Sequence, residues 1–89
     1  MVKKTATIVN KLGLHARPAA MLVSTSAKFI SEVFITKDDL RVNGKSIMGV
    51  MMLAAEKGTQ LVIEVEGPDE EAAMAALLNV IASGFGEND

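Results

Sequence analysis

Cysteine, tryptophan and tyrosine are missing from the sequence, histidine occurs once, and the only aromatic residues are three phenylalanines. Without thiols there is no disulfide scaffold and no cysteine-ligated metal, which fits a reducing compartment. One imidazole and no close pattern of acids leave a metal ion too few ligands, so neither a metal nor another cofactor is expected. No apolar run approaches the ~18 residues of a membrane span, and the opening MVKKTATIVN alternates and carries charge where a signal peptide would be apolar. A soluble cytoplasmic protein is the expectation. A nucleotide-binding phosphate loop is lacking too, because VNGKSIMG contains Gly-Lys-Ser without the G-x-x-x-x-G-K-[ST] spacing. A Ser-His-Asp hydrolase needs a base beside its nucleophile and a substrate cleft, for which 89 residues leave little space. The net charge is −2, and the phenylalanines have no flanking basic clusters, so no nucleic-acid binding is expected.

What is present is aliphatic. Hydrophobic residues make up 49% of the sequence, so Val, Ile, Leu, Ala and Met must build the core, and residues 1–89 are expected to form one domain. Residues 1–37 hold six Lys or Arg against one acid, and residues 38–89 hold three against ten. Such a split either steers an acidic partner to one side or solvates opposite faces.

The periodicity changes at regular intervals. TATIV places Ala6 and Ile8 on one side and Thr5, Thr7 and Val9 on the other, as a half-buried strand does, and NKLG ends it. From Ala16 the spacing of Ala19, Leu22, Val23, Ser26 and Ile30 predicts an amphipathic helix, with Pro18 in its first turn, where no intrahelical bond is lost. EVFIT and LRVN, separated by Lys37, Asp38 and Asp39, predict a hairpin. In SIMGVMMLAAEKG, Ser46 is the expected N-cap, Ile47, Val50, Met51 and Ala54 share a face, and Gly58 ends the helix. QLVIEVE alternates Leu61, Ile63 and Val65 with polar partners as a fourth strand. Pro68 in a first turn, then Asp69, Glu70 and Glu71, open a last helix that turns Ala73, Ala76, Leu77, Val80 and Ile81 inward and stops at Gly84. The order β-α-β-β-α-β-α implies an α+β fold of two layers, helices covering one face of a mostly antiparallel sheet.

Chemistry concentrates at His15. A lone histidine can be surface decoration or a buried structural group with both nitrogens bonded. Its context offers more. Gly13 permits a sharp turn, so His15 lands at the N-cap of the helix beginning at Ala16, where first-turn amides have no intrahelical acceptor and the helix dipole favours an anion. Arg17 adds a planar donor fork suited to phosphate oxygens. Phosphate on the ring would then be held by Ala16, Arg17 and Pro18 at the helix start. The same positive surroundings should keep the ring neutral near pH 7, and a neutral ring nitrogen is a nucleophile.

Ser46 reads first as a helix cap, yet a phosphoserine at that position would meet the positive helix end and reverse the local surface charge without unfolding anything. Helical spacing assigns Met51 or Met52 to the core. Met48, beside a glycine, can instead be exposed with Leu14 and Met21 as an adaptable docking patch. Arg17, Lys28 and Lys45 are candidates for steering a partner.

GLHARPAA followed by VNGKSIMGVMMLAAEKG resembles the HPr family of histidine-containing phosphocarriers of the bacterial phosphotransferase system, and the likeness runs over essentially the whole chain. The resemblance implies an open-faced β-sandwich with strand order 1-4-2-3 and three helices on one side. It implies that His15 receives phosphate on Nδ1 from Enzyme I and passes it to an EIIA-type protein, with Arg17 neutralising the phosphoryl group. Ser46 then corresponds to the serine modified by HPr kinase/phosphorylase, and the docking residues are Leu14, Ala20, Met21, Ile47, Met48 and Met51. Such a protein is a stoichiometric carrier and not an enzyme, and a monomer is expected. Leu12 stands where sugar-branch members often carry Asn or Ser, and NKLGLHARPA and SGFGEND look like the nitrogen-related branch, NPr. KSIMGVM points back to carriers regulated at serine. The sugar-transport carrier is the first reading and the NPr-type carrier the alternative.

Overall fold

Strict alternation in QLVIEVE puts Leu61, Ile63 and Val65 on one face of a strand, and all three side chains are buried. In the computed structural model, which describes residues 1–87, this strand is an inner member of a four-stranded sheet. Asn88 and Asp89, the end of the expected domain, lie outside the described residues. The elements are β1 (Val2–Thr7), α1 (Ala16–Ala27), β2 (Glu32–Lys37), β3 (Leu40–Asn43), α2 (Ile47–Met52), β4 (Gln60–Glu66) and α3 (Glu70–Ala82), then a 3-10 turn at Gly84–Gly86. The sheet order is β1-β4-β2-β3 with every pair antiparallel, as the family resemblance implied. Ala6 faces Leu61 and Val33 faces Val65 across the ladders, so one face is apolar and covered by the helices. The other carries Lys3, Glu64 and Arg41, whose guanidinium lies 3.8 Å above the Phe34 ring and 3.3 Å from the Glu64 carboxylate.

The hairpin forms where expected, with Lys37 paired to Leu40 and Asp38 in the left-handed region (φ 53°) that a two-residue turn requires. The first strand starts earlier and ends earlier than TATIV, at Val2 and Thr7. Ile8 still bonds through both backbone groups to Gly58 and Thr59 and is buried.

Helix ends are where sequence and structure part. Helix α1 stops at Ala27, because the amides of Lys28 and Phe29 close tight turns onto Thr25 and Ser26, so Ile30 leaves the expected inner stripe and is 74% exposed. Ser26 is buried as expected, and Thr25 with it, their hydroxyls donating to the carbonyls of Leu22 and Met21 respectively. Helix α2 lasts six residues. Ala54 adopts φ 47° and ends it, four residues before the expected stop at Gly58. A helix this short points only Val50 and its C-cap Leu53 inward, so Met51 and Met52 are both exposed, contrary to the core place expected for one of them. Ala54 is exposed too. Helix α3 begins after Asp69, which puts Pro68 ahead of the first turn. Ala73, Leu77 and Ile81 are buried as expected, joined by Met74, while Ala76 and Val80 are half-buried. Gly84 (φ 65°) ends the helix.

The α1–β2 connection is tied to the start of α3 by one carboxylate. Asp69 accepts from the amides of Ile30 (3.0 Å) and Ser31 (2.9 Å) and from the Ser31 hydroxyl, which in turn accepts from the Asp69 amide. These bonds, the Ser31 hydroxyl foremost, hold the Asp69 carboxyl below the ordinary carboxylate range. Stability drawn from this clamp is fully present above the unfolded aspartate value of about 3.9 and fades as pH falls through the lower folded value. Urea denaturation between pH 7 and pH 2.5 is expected to show an acid decline that is shallower in Asp69→Asn, a variant also less stable at neutral pH; parallel curves would remove the clamp from the account.

Candidate functional site

The turn before α1 fixes everything that follows. Gly13 sits at φ 68°, and a Cβ there would come within 2.3 Å of the Ala55 carbonyl oxygen, so only glycine lets the two loops touch. The next amide, of Leu14, donates to that carbonyl at 2.8 Å, and the Leu14 side chain enters the core. Leu14, 5% exposed, is therefore an anchor and not part of the exposed docking patch in which it was placed. With Leu14 inward, His15 projects outward at the expected N-cap, its carbonyl accepting from the Ala19 amide at 3.0 Å.

The His15 side chain is 37% exposed and makes no capping bond. The amides of Ala16 and Arg17 have no acceptor within the helix, and they point along the positive end of a twelve-residue helix. Arg17 is exposed beside them. Pro18 is buried and has no N–H, so its part at this site is to shape the first turn.

A carboxylate that the sequence reading did not single out completes the site. Oε2 of Glu87 lies 2.8 Å from His15 Nε2, across 72 residues of chain, and Oε1 accepts from Asn10 Nδ2 at 2.9 Å. The second Asn10 amide proton goes to the Gly13 carbonyl at 2.8 Å. Asn10 is buried, and with both amide protons fixed on acceptors its orientation is determined. The Asn10 bond, with smaller help from His15 and the Arg17 charge, holds the Glu87 carboxyl below its ordinary range, so it is an ionised acceptor at neutral pH. An acceptor on that side requires the proton on Nε2, and in the neutral ring this places the lone pair on Nδ1. Nδ1 has no hydrogen-bond partner among the described residues. The surroundings of the ring are thus not the purely positive ones expected from Arg17 and the helix start: the ring stands at the positive end of α1, and an anion holds Nε2.

The tail that delivers Glu87 is held by Phe85, which is fully buried. Gly84, Phe85 and Gly86 all have positive φ (65°, 59° and 72°), a reversal that carries the chain back past Val9 and Asn10. The signal for it was an isolated aromatic between two glycines in SGFGEND.

Ser46 is the N-cap of α2 as expected, its hydroxyl accepting from the Gly49 amide at 3.1 Å. Ser46→Ala is expected to lose about 1 kcal/mol in denaturant titration and Ser46→Asp much less, since aspartate caps equally well; equal losses would contradict the cap. Ile47, Met48 and Met51 are exposed on the same short helix, Met48 at 78%, together with Met52 and Leu12. Ala20 is exposed and Met21 half-buried on α1, where with Arg17, Ser24, Thr25 and Lys28 they line a shallow groove. Lys45, expected to steer partners, donates at 2.7 Å to the Phe29 carbonyl. No group of acids and histidines among the described residues could hold a metal ion, and no helix is long and apolar enough to cross a membrane.

A family model for the PTS HPr component phosphorylation site matches residues 2–83. The chain is 54% identical to phosphocarrier protein HPr of Neisseria meningitidis, over the full length of both. Among solved structures, HPr of Thermoanaerobacter tengcongensis superposes with a TM-score of 0.96 at 48% identity, covering both chains completely. A structure described as the HPr dimer of the same organism gives 0.79 at 49% identity, covering 98% of this chain and 100% of that one.

Proposed function

Since the chain belongs to the HPr family of phosphocarriers of the phosphotransferase system, we propose that Nδ1 of His15 is the atom that takes and gives up the phosphoryl group. The observation that carries this reading is the half-exposed ring, held by Glu87 at Nε2 with no partner on Nδ1 among the described residues, at the start of a helix whose first amides have no intrahelical acceptor. Phosphorus leaves the imidazole nitrogen of a donor phosphohistidine, on Enzyme I, as a bond forms to Nδ1. The donor ring is released with its own proton, and His15 keeps the proton on Nε2. Helix amides and the Arg17 guanidinium receive the phosphoryl oxygens, and the reverse step delivers the group to a histidine of an EIIA-type acceptor. Nothing is turned over at His15, so the protein is a carrier and not an enzyme, and it works as a cytoplasmic monomer. The exposed Ile47, Met48 and Met51 of α2, with Arg17 exposed on the α1 it packs against, offer small apolar and charged surfaces suited to short-lived complexes with successive partners.

Incubation with Enzyme I, phosphoenolpyruvate and Mg²⁺ is expected to give one acid-labile, alkali-stable phosphate per chain, which an EIIA-type protein then removes. An acid-stable phosphate, or none, would contradict the reading. Ser46, at the positive end of α2, is the site proposed for HPr kinase/phosphorylase. One observation favours the nitrogen-related role as a second reading: Leu12 is exposed, and the loop is fixed by Asn10 instead of a polar side chain at position 12. Discharge by a sugar-specific as against a nitrogen-related EIIA-type acceptor separates the two.

A further inference from the structure

We propose that Glu87 is a positioning residue for the transfer: held by Asn10, its carboxylate keeps the Nε2 proton of His15 in place through both half-reactions. The inference rests on His15 being the phosphoryl carrier. It starts from the chain of contacts Gly13 carbonyl, Asn10 amide, Glu87 carboxylate and His15 Nε2, with separations of 2.8, 2.9 and 2.8 Å. The two oxygens of Glu87 are divided between two donors, and the buried amide of Asn10 fixes the plane in which the second oxygen meets the ring.

The chemical consequence lies in the leaving group. When Nδ1 attacks phosphorus the ring gains an N–P bond while retaining its Nε2 proton, so the phosphorylated ring is cationic. On transfer the N–P bond breaks, the electron pair returns to Nδ1, and a neutral imidazole leaves. If the phosphorylated ring first loses the Nε2 proton to water, transfer must expel an imidazolate, a much poorer leaving group. A carboxylate on Nε2 favours the protonated phosphorylated ring and so extends the pH range over which it can donate. Among the described residues, the other charged groups near this site are Arg17 at the start of α1, whose charge also acts on Glu87, and, in the two loops that meet at Gly13, Lys11 and Glu56. Of these groups, Glu87 is the one bonded to Nε2.

Glu87→Gln removes the charge and replaces one of the two accepting oxygens with an NH₂ donor; Glu87→Ala removes both bonds. Glu87 is partly buried but outside the apolar core, so both variants are expected to fold. In ¹⁵N NMR the parent ring is expected in the Nε2–H tautomer, and Glu87→Ala as a mixture of tautomers. Both variants should still acquire acid-labile phosphate. Their discharge to an EIIA-type acceptor should decline at lower pH than the parent's, reaching about a tenfold deficit on the alkaline side, equivalent to one unit of displacement, with little difference at pH 6. Normal labelling with an unchanged tautomer and a superimposable pH profile would overturn the role of Glu87 alone. Absence of labelling in the parent itself would overturn the carrier reading on which it rests.

Discussion

A His15→Ala variant is expected to take up no acid-labile phosphate at all, while unfolding within about 1 kcal/mol of the parent. The loss should be complete because the sequence contains no second imidazole. The fold should persist because the ring is on the surface and the helix does not use it as a cap. What α1 takes from this residue is its carbonyl, which receives the Ala19 amide and is present whatever the side chain. The variant forfeits only the contact with Glu87, a carboxylate that Asn10 continues to hold. Retained labelling at a nitrogen would place the chemistry elsewhere, and gross unfolding would make His15 a structural residue.

Phe85→Ala is expected to be the most destabilising single change on the C-terminal side, by about 3–5 kcal/mol. The ring is fully buried in a core otherwise built of aliphatic side chains and methionine. Against a total of about 5–15 kcal/mol for a domain, and with a chain this short, such a loss leaves a substantial unfolded fraction near 37 °C. Under conditions where the variant remains folded, a second effect follows from its place in the chain. Phe85 anchors the reversal that brings Glu87 to His15, so the imidazole should show the mixed tautomers of Glu87→Ala. Urea denaturation and ¹⁵N NMR measure the two effects; a loss below about 1 kcal/mol would mean that the tail is not packed as described.

Local chemistry made much of this legible in the sequence. Alternation at Leu61, Ile63 and Val65, the turn at Asp38 and Asp39, the Ser46 cap and the placement of His15 at a helix start each depend on a few neighbouring residues, and each formed as read. What was not legible depended on contacts distant in sequence or on backbone choices with no compositional mark. An alanine does not advertise φ 47°, so the early end of α2 was invisible, and with it the fact that neither Met51 nor Met52 reaches the core. Leu14 looked available beside the histidine because nothing nearby announces the bond to Ala55 that turns it inward. Asn10 and Glu87 are unremarked polar residues until the tail folds back and brings them to one ring.

The nitrogen that bears phosphorus tests the central claim most directly. In ³¹P–¹⁵N correlation spectra of the protein phosphorylated through Enzyme I, phosphorus should couple to Nδ1 of His15 and the ring proton should remain on Nε2. Coupling to Nε2, or phosphorus bonded to oxygen on another side chain, would contradict the account.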